Sequence, residues 1–138
     1  MRTIPAGTTG TFSLTVAREH LADQFKDASL PPVLSTPIMI LMMENAALNA
    51  IRSYLEPGES AVGSSINIRH LAATAAGQHV TATAVVTKVT GRKIEFAVSA
   101  RDETEEVGMG AHERTVVDVR RMMHRLESKR PVLPSRGT

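Results

Sequence analysis

Glu44 stands inside the run Pro37-Ile38-Met39-Ile40-Leu41-Met42-Met43-Glu44-Asn45-Ala46-Ala47-Leu48 and is the only charged side chain between Asp27 and Arg52. A carboxylate in such apolar company must lose solvation or meet a partner, and groups kept at that cost usually act in function, as a base, a nucleophile or an electrostatic anchor. The purely structural alternative pairs Glu44 with Arg52, Arg114 or a residue of another subunit. Arg52 lies eight positions on and is too far to pair along a helix. His112 and Arg114 alternate around Glu113, so on a strand they share a face and could support Glu44 or form a dimer salt bridge. Glu44, His70 and His112 are of metal-ligating type, but they lack tight ligand spacing such as two His on one helical turn, and no metal site is expected.

These groups need a scaffold, and length bounds it. At 138 residues, 42% of them hydrophobic, the chain suits one domain with a single core. The longest unbroken apolar stretch, Ile38 to Met43, is far short of the roughly 20 residues of a membrane span. The first residues lack the apolar segment of a secretory signal, so a cytoplasmic protein is expected. Cysteine is absent, which excludes disulfides and thiolate chemistry. The sequence pI of about 9.4 reflects the end of the chain. Val119 to Thr138 holds six Lys or Arg against Glu127 alone, while the preceding 118 residues hold 10 basic and 13 acidic groups. The reading is therefore a domain over 1–120 and a basic tail over 121–138. With three Phe, one Tyr and no Trp there is little to stack on bases, so nucleic acid is not an expected partner.

Periodicity places the elements. Phe12, Leu14 and Val16 alternate as in a half-buried strand. From Glu19 to Leu34 the pattern lapses into an apolar loop whose Pro31-Pro32 bars a helix. Ser35-Thr36-Pro37 reads as a helix start with a hydroxyl N-cap and proline at the first helical position, and Glu56-Pro57-Gly58 as its end, after about Leu55. Four strands follow, over Val62–Arg69, Val80–Val89, Lys93–Arg101 and Glu106–Val119. Short turns at Thr90-Gly91-Arg92 and Asp102 to Glu105 suggest an antiparallel meander. A long helix apolar on nearly every face, with too few strands to close a barrel, calls for an α+β arrangement in which the sheet curls around the helix.

The ordered set Thr36-Pro37-x-Met39, Met43-Glu44, Leu55-Glu56-Pro57-Gly58-Glu59, Val62-Gly63, His70-x-Ala72-Ala73-Thr74, Gly91-Arg92 and Gly110-Ala111-His112-Glu113-Arg114 resembles the hotdog-fold acyl-CoA thioesterases, in particular the fluoroacetyl-CoA thioesterase type. The resemblance covers Phe12 to Val119. It implies a hotdog fold, a long central helix wrapped by a curved antiparallel sheet, and a homodimer with sheets joined edge to edge and acyl-CoA sites near the interface. Pairing of dimers into tetramers is left open. It further implies that Thr36, Glu44 and His70 act together on the thioester, without cofactor or metal. Glu44 would be base or nucleophile, His70 would carry the proton, and Thr36 would orient Glu44, His70 or the water. Gly63 would offer its backbone amide to the oxyanion, aided by the positive helix end. Taken alone, Thr36 is an ordinary N-cap and His70 a strand-end histidine; the set of three favours catalysis.

For the substrate, Leu30, Val33, Met39 and Arg114 are the expected contacts, with the helix Met and Leu residues filling the core first and lining the acyl pocket second. Basic residues near the sheet end and tail could meet CoA phosphates. The chain departs from the fluoroacetyl-specific pattern at Leu30 to Leu34, which carries no aromatic residue, so a small or medium acyl group is expected and fluoroacetate selectivity is not. Two other activities fit the same fold: an enoyl-CoA hydratase or dehydratase, which leaves the thioester intact, and a non-catalytic acyl-CoA binding protein.

Overall fold

Helix α2 (Thr36–Ile51) is the element around which the chain is laid, burying Met39, Met42, Met43, Ala46, Ala47, Ala50 and Ile51. Those positions cover more of its circumference than the single stripe of a surface helix. A sheet can cover them only by curving. The computed structural model describes residues 1–131, and in it five strands do so: β1 (Thr9–Thr15), β2 (Glu59–His70), β3 (His79–Thr90), β4 (Lys93–Arg101) and β5 (Glu106–Asp118). Their order is β1-β3-β4-β5-β2, with every neighbouring pair antiparallel.

The alternation read from the sequence sets the inner face. Ile94, Phe96, Val98 and Ala100 of β4 lie opposite the helix in the core with Val80, Ala82, Ala84 and Val86 of β3. The alanines leave room for the helix backbone. The closest approach is at β1, where a Cβ added to Gly10 would lie 2.3 Å from the Ala50 nitrogen and 2.4 Å from the Ala46 oxygen. Gly91 turns β3 into β4 with φ 60°, the positive φ that a two-residue hairpin loop requires at its first position.

Four local expectations change. The meander holds only for β3-β4-β5, because β2 pairs with β5 at the far edge. It lies three strand spacings from β3, about 14 Å, which the eight residues 71–78 cross easily since they can span up to about 26 Å. The segment before α2 is partly helical, with a 3-10 turn over Arg18–His20 and α1 (Ala22–Phe25). It is tied down by the Ala22 N–H donating to the Val33 carbonyl and the Leu34 N–H to the Thr74 carbonyl, both at 2.8 Å. The N-cap of α2 is Ser35, whose hydroxyl makes no capping bond, and Thr36 is already inside the helix. The α-helix itself stops at Ile51, with a 3-10 turn over Arg52–Tyr54 completing the run to Leu55.

The basic segment begins as a helix, α3 (Val119–Lys129), opened by Asp118, whose carboxylate accepts the Arg121 N–H at 2.8 Å. Residues 132–138 of the expected tail lie outside the described residues. Among the described residues no helix is long and apolar enough to cross a membrane.

The contact between Gly10 and α2 makes a direct demand. Gly10→Ala forces backbone apart rather than a flexible side chain, so we expect a loss of about 1–3 kcal/mol and a Tm lower by roughly 3–15 °C. An unchanged thermal unfolding curve would show that β1 and α2 are not packed this closely.

Candidate active site

Glu44 leaves α2 toward the edge strand β2 and finds there the reason for a glycine. A Cβ on Gly63 would sit 2.6 Å from Glu44 Oε2; the missing side chain is the space the carboxylate occupies. The ladder between β2 and β5 also slips at this point, with a β-bulge between Gly63 and Ser65. Bulges at sheet edges commonly re-aim the chain beside a site.

Beneath the carboxylate lies Arg114, facing inward from β5 and only 7% exposed. Its Nη1 is 3.8 Å from Glu44 Oε2 and 3.5 Å from the Glu44 carbonyl, and Nη2 donates to the Ala61 carbonyl at 2.7 Å. Burial pushes the guanidinium below its ordinary value, with Glu44 opposing the shift. His112 completes the group. Its Nδ1 lies 2.8 Å from the Ser65 carbonyl and must donate to it, so Nε2 is left to accept from Arg114 Nη1 at 3.2 Å. Protonating His112 would set a second cation against Arg114. Burial holds its imidazole below the ordinary value, the Ser65 bond pulls it up and Arg114 pushes it further down. Phe96 stacks on the ring, with centroids 5.8 Å apart. The alternation of β4 marked Phe96 as inward, but no sequence signal gave its partner.

The chain therefore realises the pairing of Glu44 with Arg114, supported by His112, across 70 positions of sequence. The Glu44 side chain nevertheless keeps 40% of its surface open, more than its apolar neighbours in sequence suggest. It is paired through Oε2 and still partly open to solvent.

Thr36 and His70 form a second group. Thr36 Oγ1 and His70 Nδ1 are 2.8 Å apart, so the hydroxyl that could have capped α2 is joined to the imidazole at the end of β2. His70 Nε2 is buried without a hydrogen-bond partner. Burial lowers the His70 pKa below its ordinary value of 6.5, with the Ala72 backbone partly offsetting the effect. The rest of that motif is structural: Thr74 donates to Asp102 Oδ2 at 2.9 Å, while Asp102 Oδ1 accepts the Thr104 and Glu105 N–H groups and closes the hairpin.

Within one chain the two groups stay apart. Thr36 and Glu44 are eight residues apart on α2, about 12 Å along its axis. The other expected contacts scatter: Met39 is fully buried, and its sulfur would lie 2.5 Å from a Cβ on Gly108. Val33 is half-buried and bridged to Ala75, and Leu30 is half-buried on the loop. Among the described residues no three His, Cys, Asp or Glu side chains gather as metal ligands.

Comparison with known proteins agrees with this architecture. Residues 16–120 match the family model described as FlK, fluoroacetyl-CoA-specific thioesterase. The fluoroacetyl-CoA thioesterase of Streptantibioticus cattleyicolor is 40% identical over 104 residues, 75% of each chain. A solved structure of the fluoroacetyl-CoA thioesterase FlK superposes with a TM-score of 0.88 at 34% identity, over 94% of this chain and 99% of that one. A thioesterase superfamily member from Thermus thermophilus gives 0.82 at 30%, over 94% and 100%. The chain belongs to the fluoroacetyl-CoA-specific thioesterase family and has the hotdog fold.

Proposed function

We propose that this thioester hydrolase cleaves a small or medium acyl-CoA to the free acid and CoA, with Thr36, Glu44 and His70 as its working groups and two copies of the chain forming each site. The observation that carries the proposal is Glu44: a carboxylate paired through one oxygen with a buried arginine on a side chain that stays 40% exposed, in a chain of the thioesterase family.

The two-copy site follows from where the groups sit on β2. Strand β2 is a sheet edge with uncovered apolar side chains on both faces: Ile66, 38% exposed, on the helix side with His112, and Val62, 37% exposed, on the other with Thr115, while Leu41 of α2 is 44% exposed. An open apolar edge of this kind calls for a covering strand. Glu44 lies at Gly63 and Thr36 at His70, both along that edge. Antiparallel pairing of β2 with its copy, about a two-fold axis at Asn67, brings the bulge at Gly63 toward the partner's His70, since the extra residue keeps both on the helix-facing side. The carboxylate of one copy then faces the imidazole and hydroxyl of the other, twice per dimer. Association of such dimers into tetramers is not needed for this chemistry.

In the reaction the oxygen of water becomes bonded to the acyl carbon and the carbon–sulfur bond breaks. Glu44 either takes a proton from the attacking water or attacks first, forming an anhydride that water opens. The neutral His70 accepts the proton released by the attacking water and hands it to the departing thiolate, returning to its neutral form, with Thr36 fixing the ring through Nδ1. The Gly63 backbone and the first turn of α2, which has no side-chain cap, face the developing oxyanion. Neither route calls for a metal or redox partner. The lack of aromatics in Leu30–Leu34 suits acyl groups other than fluoroacetyl, including branched ones. CoA esters made inside the cell suit a cytoplasmic location.

The test is free-thiol release from short, branched and aromatic acyl-CoAs. We expect release by the native protein and a loss on the order of 100-fold or more in Glu44→Gln with the fold kept. A folded native protein that frees no thiol would point instead to a hydratase or a binding protein. Equal rates in the two proteins would remove Glu44 from the chemistry.

The state of His70 is checked separately. Because burial disfavours its charged form, the lowered folded pKa means that the neutral ring is kept below pH 6.5 and charged only as pH falls further. Its contribution to stability is correspondingly full above the unfolded value and lost as pH falls through the folded one. NMR titration of its ring proton, identified by its disappearance in His70→Gln, is expected to have a midpoint below 6.5. A midpoint above that value would contradict the buried, neutral proton carrier.

A further inference from the structure

We propose that the groove between α3 and the end of the sheet holds the adenosine 3′-phosphate 5′-diphosphate end of CoA; this rests on the acyl-CoA reading above and assigns the distal part of that substrate. The groove encloses about 430 Å³ and is lined on the helix by Arg121, Met122, Arg125, Leu126 and Lys129, and on the sheet by Arg92 and Val116. That is a volume suited to a small ligand. Arg121, Arg125 and Lys129 recur every four residues and so form one row along α3. Among the described residues none of the three has an acidic partner. The nearby Asp118 is already engaged, accepting the Arg121 backbone N–H. Arg92, 3.4 Å from Glu59, adds a fourth cation at the other wall.

The floor is apolar where the walls are charged. Met122 and Leu126 lie one turn apart, and Leu126 is largely exposed. A flat purine fits over two such side chains while its phosphates take the guanidinium row, bidentate where geometry allows. The groove also lies on the way out of the site. It begins at Val116, two residues along β5 from Arg114, about 7 Å, and runs to Lys129, some 16 Å of helix beyond Asp118. The pantetheine arm would join the two ends.

The experiment compares the native protein with Arg121→Ala/Arg125→Ala/Lys129→Ala, a variant altered only at exposed positions of α3. Steady-state kinetics on an acyl-CoA, the corresponding acyl-dephospho-CoA and the acyl-pantetheine ester give the first readout. Calorimetric binding of adenosine 3′,5′-bisphosphate, with inorganic phosphate as the plain anion, gives the second. We expect the variant to raise KM for acyl-CoA about ten-fold or more with kcat within about two-fold, to raise it less for the dephospho ester, and to leave the pantetheine ester unchanged. The bisphosphate should bind the native protein, more tightly than phosphate does, and lose that binding in the variant. An unchanged KM for acyl-CoA together with equal bisphosphate binding would overturn the groove assignment. Equal binding of phosphate and bisphosphate would reduce it to a general anion patch and overturn it too. Failure of the native protein to cleave any ester would instead remove the hydrolase reading, and the bisphosphate measurement would still decide the groove.

Discussion

The buried guanidinium of Arg114 constrains the rest of the site. A cation placed under a sheet and stripped of water must be surrounded by acceptors, because leaving it unpaired costs several kcal/mol. The carbonyls of Ala61 and Glu44, the carboxylate of Glu44 and the Nε2 of His112 supply them to Nη1 and Nη2, while Nε is buried without a partner. Those four groups come from three elements, so one charge ties α2, β2 and β5 together. It also dictates Gly63, since any side chain there would displace the carboxylate, and the tautomer of His112, whose remaining nitrogen must donate to Ser65. The pair is asymmetric. Arg114 is enclosed while Glu44 remains partly open, so solvent screens the acidic half and the contact serves position more than stability.

That asymmetry connects the fold to its chemistry. A helix apolar nearly all round is surrounded by a curved sheet, but the sheet ends at β2, and α2 keeps one stripe uncovered along Leu41 and Glu44. The partly exposed carboxylate and the open edge are therefore consequences of the same shortage of strands. The Thr36 and His70 pair stands on the same edge farther along. What one chain separates by about 12 Å of helix, a second copy of the same edge can bring face to face.

How much of this could be read from residues alone divides along range. The strand alternation of Ile94, Phe96, Val98 and Ala100 is local and appears as read, as do the turn at Gly91 and the helix that opens at Thr36-Pro37. Glu44 was conspicuous because charge is rare in its neighbourhood. The place of β2 was not legible, since pairing with β5 rather than β3 is decided by packing across the whole sheet. Its one signal was the eight-residue connector, too long for a hairpin. Thr36 read as an ordinary cap by local rules, and only the approach of His70, 34 positions on, gives its hydroxyl another use. The helix α3 had a signal in the spacing of Val119, Met122, Met123 and Leu126, which the concentration of positive charge obscured.

The central claim is that each site draws Glu44 from one copy and His70 with Thr36 from the other, and subunit mixing tests it most directly. Glu44→Gln and His70→Ala are prepared as separately inactive proteins, unfolded together and refolded as a mixture, then assayed for thiol release. Random pairing makes half the dimers mixed, and each mixed dimer holds one intact site, so about a quarter of native activity should return. If the mixture stays as inactive as its components while mixed dimers are shown to have formed, the groups act within one chain and the shared site is wrong.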